Sequence, residues 1–381
     1  MRVRLWFCLV LGFFALLWFA VPKSEAVPYF ARKYKTRCVT CHVIPPKLNQ
    51  FGEEFFARGY RFADERPTEK TWPFAVWATW RGQWEANQDR GRGLPNRVEI
   101  ISGGPIANTR AFYFFEWLPV SQQTDSQNQR VERHGRFEDL FVAVPVGSAY
   151  LTVGQFRSLS QVDVSRRLSL STPLAFGTGL AGKPASTSRL TSLRGFSPSG
   201  RSPAIRLSHQ WQRGPFVSDG WYNSLTVPFA GEIVIPLTDR VSRERGFEFE
   251  FRPKGAFLES YYRKGLSSFG GHVFLGDDRQ LYGLVGSINR GPFFSTLAVG
   301  FGHERNGSTD SRVSWENEWV PQPWLALGLR VDDRTGSGRP AALVPYVNVE
   351  FPLTSYVIRI TTEYQQQRGN RRWLLETGVV F

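Results

Sequence analysis

From Trp72 to the C-terminal Phe381 the chain is written in short stretches whose side chains alternate between apolar and polar. Tyr356, Ile358 and Ile360 alternate with Val357, Arg359 and Thr361, and Phe247, Phe249 and Phe251 with Glu248, Glu250 and Arg252. Trp373, Leu375, Val379 and Phe381 share one face, with Arg372, Glu376 and Gly378 on the other. A period of two with one apolar face is strand geometry. A soluble β-sandwich gives the same alternation, so the connections must decide. The spacing predicts about sixteen strands, among them 246–252, 256–264 and 280–288. One set of connections is mostly short and turn-like, as at Pro253-Lys254-Gly255, Val320-Pro321-Gln322 and Pro352-Leu353. The other set, around 86–94, 119–135, 159–202, 237–245, 264–279, 304–311 and 333–342, is mostly longer and polar. Short turns at one rim and long loops at the other mark an outer-membrane barrel, with apolar side chains toward lipid and polar ones toward the lumen. The expected fold is all-β: a transmembrane antiparallel β-barrel of about 16 strands, with a small N-terminal plug that contains a short helix.

The other end of the chain fixes the compartment. Arg2 and Arg4 precede an apolar run from Leu5 to Val21, and Ser24-Glu25-Ala26 supplies small residues at cleavage spacing. This reads as a secretory signal peptide over 1–26, an uncleaved anchor being the alternative. Cys8 leaves with it, so the exported chain keeps two cysteines, Cys38 and Cys41, too few for a disulfide framework. The formal charge of +14 is reduced only slightly by loss of Arg2, Arg4, Lys23 and Glu25. Export argues against nucleic acid as the partner of this basic surface and points to anionic lipid or an acidic protein. The expected division is therefore signal peptide 1–26, head or plug 27–71 and barrel 72–381.

The head carries the chemistry. Cys38-Val39-Thr40-Cys41-His42 is the CxxCH attachment spacing of a c-type haem: two thiols for the vinyl groups and an adjacent histidine for the iron. A CxxC redox pair would want a βαβ context, and a closed zinc site a fourth ligand. One covalent haem c is thus expected on Cys38, Cys41 and His42, with His42 holding the iron that does the redox work. A helix is expected from Lys47 to Arg58, with Leu48, Phe51 and Phe55 on one face and Gly59 as its stop. Gly52 on that face would admit either a flat ligand or an ordinary packing contact. Met1 is the one methionine, so a His/Met iron is excluded once the leader goes. His134, His209, His272 and His303 remain as histidines, beside a lysine ligand or an open, water-ligated iron. His209 shares its face with Ile205, Leu207 and Trp211, which argues against the lumen.

Ala26 to Tyr34, the CxxCH sequence, Pro46-x-Leu48-Asn-x-Phe51-Gly52 and Gly59-Tyr60 together resemble the head of the fused outer-membrane cytochrome–porins. That family includes the monohaem iron(II) oxidases of iron-oxidising bacteria. The close resemblance covers about Ala26 to Phe62; beyond it only the barrel texture is similar. It implies a haem plug inside the barrel and an iron(II):cytochrome c oxidoreductase. Electrons would pass from extracellular iron(II) to a periplasmic c-type cytochrome or copper protein. The alternatives are an electron conduit without its own substrate site and a solute porin with a haem-bearing plug. Arg81, Arg206, Arg330 and Arg359 have lumen parity and could meet haem propionates or line water. Iron(II) prefers oxygen and nitrogen ligands, so His134, His272, Asp277, Asp278, His303 and Glu304 are the candidates at the long-loop rim. The haem iron is expected to lie toward that rim.

Overall fold

A computed structural model describes residues 29–61, 73–85, 92–106, 109–124, 130–160, 167–176, 200–213, 217–233, 247–277, 279–304, 309–335, 341–352, 356–367 and 370–380. The proposed leader and its cleavage point, and Phe381, lie outside them. The head contains α1 (Tyr29–Tyr34), a single turn α2 (Cys38–Cys41), a small hairpin of β1 (His42–Ile44) and β2 (Lys47–Leu48), and α3 (Gln50–Ala57). The wall follows as β3 (Ala75–Glu85), β4 (Arg92–Pro105), β5 (Phe112–Thr124), β6 (Arg130–Val146), β7 (Ala149–Arg157), β8 (Arg201–Gln212) and β9 (Gly220–Ile233). It continues with β10 (Phe247–Pro253), β11 (Gly255–Lys264), β12 (Ser267–Gly276), β13 (Arg279–Arg290), β14 (Phe293–Glu304) and β15 (Thr309–Gln322). β16 (Leu325–Thr335), β17 (Ala342–Pro352), β18 (Val357–Gln367) and β19 (Asn370–Val380) complete it. Neighbours in sequence pair antiparallel, and β19 pairs with β3 from Arg372↔Glu85 to Val380↔Trp77, which closes the sheet.

β10 and β11 both pair with β9, so they are two segments of one strand and the closed barrel has 16 strands. This corrects the sequence reading in two places. Pro253-Lys254-Gly255 is an irregularity within a strand: the Lys254 N–H donates to the Pro228 carbonyl at 2.8 Å, and Gly255 takes a φ of 142°. Residues 264–279, expected as one loop, hold β12 between the turn at 265–266 and the bend at Asp277. One strand too many and one too few cancel, so the rims assigned to the other connections are unchanged.

The parity of the wall is as the alternation demands. Leu258, Leu284, Phe301 and Trp315 are exposed on the outside, while Glu259, Arg312, Glu318, Arg330, Arg359 and Glu363 are buried on the lumen side. Outward-facing aromatics gather near both rims: Trp221 against Tyr262 (5.5 Å) and Phe293 stacked on Trp319 (6.1 Å) at one, Tyr364 against Trp373 (4.6 Å) at the other. Such a belt with aromatic girdles is the surface of a membrane-spanning barrel. No helix among the described residues is long and apolar enough to cross a membrane.

The head sits in the lumen at the rim of short connections. The Glu54 carboxylate accepts from the Val217 and Ser218 N–H groups at 2.9 and 3.0 Å, in the turn before β9. Arg263, at the end of β11, pairs with Glu53 at 2.5 Å. Lys47 pairs with Glu318, and Arg359 donates to the Pro45 carbonyl at 3.1 Å. Ile44, fully buried, packs with Phe294, Val320, Ala326 and Tyr346 of the wall. These residues stand near the turns 265–266, 291–292 and 323–324 and near the strand ends at Pro352 and Val357. The expectation that the haem motif lies toward the long-loop rim is thereby overturned. The chain enters β3 from the opposite rim, and the head's charges find their partners there.

Hydrogen bonds to charged groups contribute roughly 1.5–3 kcal/mol each. Glu54→Ala should therefore loosen the head without opening the barrel. We expect faster proteolytic clipping within residues 29–61, with the heat-modifiable electrophoretic shift of the folded barrel retained. Equal resistance to proteolysis in wild type and variant would contradict the docking.

Candidate functional site

Cys38 and Cys41 fall three apart in the single turn α2, which places both on one side of it. His42 then leaves the turn in extended conformation to begin β1. Both cysteines are free thiols and half-buried. Burial, followed by the nearby Glu350 carboxylate and by Cys41, pushes the Cys38 thiol up to about 12; burial pushes Cys41 up to about 11.

Asn49 holds this turn in place. Its Oδ1 accepts from the Gly52 N–H at 2.9 Å and so caps α3, while its Nδ2 donates to the carbonyls of Val39 and Thr40, both at 3.0 Å. Its own N–H donates to the Cys41 carbonyl at 2.9 Å. A side chain that caps at 49 starts the helix at Gln50, which is why Lys47 and Leu48, expected in the helix, pair with β1 instead. Gly52 resolves the same way: a Cβ there would overlap the Cys41 carbonyl oxygen, so the glycine serves the approach of α3 to the CxxC turn. Phe30 stacks on Tyr60 at 5.1 Å, Phe55 meets Phe30 edge-on at 5.1 Å, and Tyr60 stacks on Phe114 of the wall at 5.8 Å.

Cys38, Cys41 and His42 all line a cavity of about 920 Å³ between the head and the wall. That is the size of a small-molecule or cofactor site, roughly 300–1,000 Å³. Phe55, Leu48, Trp77 and Val357 give it apolar surface, and Leu159 and Leu168 of the connection after β7 cover part of it. That connection lies inside the barrel at residues 167–176. The Leu170 and Ser171 N–H groups donate to Glu363 at 2.6 and 3.1 Å, and the Leu174 N–H to Asp332 at 3.0 Å. Seven arginines and five carboxylates line the cavity, a bias toward positive charge.

The four arginines of lumen parity all face inward. Arg81, Arg206 and Arg359 reach the cavity; Arg330 does not, being paired with Asp332 at 2.8 Å. Arg81 pairs with Glu376 at 2.5 Å, Arg206 donates to Thr226 at 3.0 Å and the Ser158 carbonyl at 2.6 Å, and Arg359 donates to Asn348 at 2.9 Å. Alternation missed a further group. Glu99, Glu116 and Glu138 bring carboxylate oxygens within 4.8 Å of one another. Arg97 pairs with Glu99 at 2.5 Å, and Arg201 with Glu116 and Glu138 at 3.0 and 2.7 Å. Register shifts interrupt the pairing between Thr79 and Trp80, Val98 and Ile100, and Glu116 and Trp117, so simple parity does not converge on these residues.

Among the described residues, the candidates for an iron(II) site at the loop rim do not assemble. His272 lies in the middle of β12, buried, with its Nδ1 3.0 Å from the Tyr261 hydroxyl and its ring stacked on Phe257 at 5.4 Å. Asp277 is exposed in the turn after β12, and His303 is exposed near the end of β14, paired in register with Gln280 and Thr309. Asp278 and the side chains of His134 and Glu304 lie outside the described residues. His209 stands on the outward face of β8 with Ile205, Leu207 and Trp211, as its pattern indicates.

No family model matches the chain, and no curated protein matches it in sequence. Among solved structures it is similar to an anion-selective porin from Comamonas acidovorans, at 10% identity and a TM-score of 0.50, over 81% of this chain and 98% of that one. It is also similar to OmpF of Salmonella typhi, solved with daunomycin, at 9% identity and a TM-score of 0.49, over 81% of this chain and 97% of that one. The first of these likenesses shows the fold: a porin-like β-barrel.

Inserting a methyl group into a tight contact costs about 1–3 kcal/mol. Gly52→Ala should therefore displace the CxxC turn, and we expect Cys38 and Cys41 to be alkylated faster in the folded variant than in wild type, at equal barrel yield. A second expectation concerns the thiols. In protein folded without haem maturation, thiols raised this far are almost wholly protonated at pH 8, whereas ordinary ones are partly ionised. Alkylation should be slow in the folded state and fast after denaturation. Rapid modification of the folded protein at pH 8 would refute the buried placement of Cys38 and Cys41.

Proposed function

We propose that this protein is an outer-membrane monohaem c-type cytochrome fused to a porin-like barrel, and that it moves single electrons across the outer membrane. The observation that carries the reading is the placement of Cys38, Cys41 and His42 on one lumen cavity of cofactor size, beside aromatics and arginines. Thioether links from the two thiols and an iron bond from His42 would hold the haem, which supplies a site that takes up and releases one electron. The protein's own residues do the rest. Asn49 and Gly52 set the CxxC turn, the aromatic cluster orders the head, and the barrel carries the cavity within a bilayer core about 30 Å thick.

Short connections are periplasmic in such barrels, so the head occupies the periplasmic half. The acceptor on that side would be a c-type cytochrome or copper protein, and the donor from the opposite side extracellular iron(II). The resemblance of residues 26–62 to the cytochrome–porin heads supports this direction. A solute porin is the second reading, favoured by the fold itself. The two separate experimentally.

Double substitution of Cys38 and Cys41 by alanine should abolish the haem-stained band on a denaturing gel while leaving the barrel folded. A wild-type protein that shows no such band, yet conducts ions freely in planar bilayers, would establish the porin reading instead. Anaerobic mixing of the oxidised holoprotein with iron(II) should reduce its haem bands; no reduction would remove iron(II) as donor and leave the conduit.

A further inference from the structure

The chain's own ligand inventory, set against the cavity, bears on the second axial position of the iron. This step rests on the proposed haem site. Beyond His42 there are four histidines, and the one methionine is Met1. His209 faces outward from β8. His272 is held in the wall by Tyr261 and Phe257, and His303 is exposed at the far rim. His134 precedes the first cavity-lining residue of β6, Glu138, by four positions, about 13 Å of strand at roughly 3.3 Å per residue. Lys47 is occupied by Glu318 and sits over the Phe294 ring at 4.3 Å. Among the described residues that line the cavity, His42 is the one imidazole, and none is methionine or lysine. Of the remaining polar lining, the Tyr34 hydroxyl donates to the Tyr60 carbonyl at 3.1 Å, Asp139 is held by Arg201 at 3.2 Å, and Glu350 stands 3.8 Å from Arg359. Arginine stays protonated, and Glu116, Glu138 and Glu376 are engaged by Arg201 and Arg81 at 3.2 Å or less.

We infer that the cavity beside His42 is a binding site for a small exogenous ligand, because none of the described residues that line it offers the iron a second imidazole, thioether or amine. The reduced iron would take a neutral diatomic molecule. The oxidised iron would take a small anion, favoured by the excess of arginine over carboxylate around the cavity.

The test uses the purified full-length holoprotein. Haem staining on a denaturing gel first shows whether haem c is present; its absence overturns the proposed function, and this inference with it. With haem present, both oxidation states should give high-spin absorption spectra. Carbon monoxide should shift the Soret band of the reduced protein completely, and cyanide should convert the oxidised protein to low spin. A reduced spectrum that is low-spin and unaltered by carbon monoxide overturns this inference alone. The triple variant His134→Ala, His272→Ala, His303→Ala should give the same spectra and the same response. Conversion from low to high spin in that variant would identify a histidine ligand and refute the open position.

Discussion

The pairing of β19 with β3 is the interaction on which the molecule depends. A sheet in lipid has no water to satisfy its edge, and each unpaired backbone group there costs several kcal/mol. Closing the ladder from Arg372↔Glu85 to Val380↔Trp77 removes that edge. It also creates an enclosed interior in which polar and charged side chains can be buried against one another. The ion pairs of Arg81 with Glu376 and Arg201 with Glu116 and Glu138 exist because closure brings strands β3 to β8 and β19 around a common lumen.

The head exploits that interior. Roughly forty residues bury too little apolar surface to hold a fold alone. Its aromatic cluster, Phe30, Phe55 and Tyr60, is completed by Phe112 and Phe114 of the wall, and Ile44 is completed by Phe294, Val320 and Tyr346. Two of its charges are matched by the wall, Lys47 by Glu318 and Glu53 by Arg263. Cavity and head are thus consequences of one packing arrangement. The CxxC turn is held from one side by Asn49 and Gly52, and it faces a space whose far wall belongs to the barrel.

Much of this was legible in the residues. Alternation gave the strands, their faces and the inward direction of Arg81, Arg206, Arg330 and Arg359, because period two is a geometric property of any strand. The strand count was right for a partly wrong reason. Pro253 and Gly255 carry turn chemistry but sit in a strand irregularity, while 264–279, read as one longer polar connection, holds β12. In both cases cross-strand pairing overrode local preference. The glutamate cluster could not be read at all, since bulges in the β3 to β6 region break the parity rule on which such a reading relies. The position of the head along the barrel axis was illegible for a different reason. It is set by contacts such as Glu54 to Val217 and Ser218, which join residues far apart in sequence.

That axial position changes what the rims can do. Had the CxxCH turn stood among the long loops, an external donor could have met it directly, and His303 with Asp277 would have been natural first contacts. It stands instead near the short connections, and residues 167–176 lie within the lumen, pinned to Glu363, Asp332 and Arg330. On the proposed function, an electron from outside must enter through the lumen, past or by way of that segment, while the acceptor's side is close. The loop residues then have no reason to form a metal site, and the structure brings none of the described ones together. The groups that govern the chemistry are those around the cavity: Trp77 with the guanidiniums of Arg97 and Arg359 at 5.1 and 5.4 Å from its ring, and the carboxylates beside them. Selection between donors would therefore act at the lumen interior, by size and charge, and not by ligation at the rim.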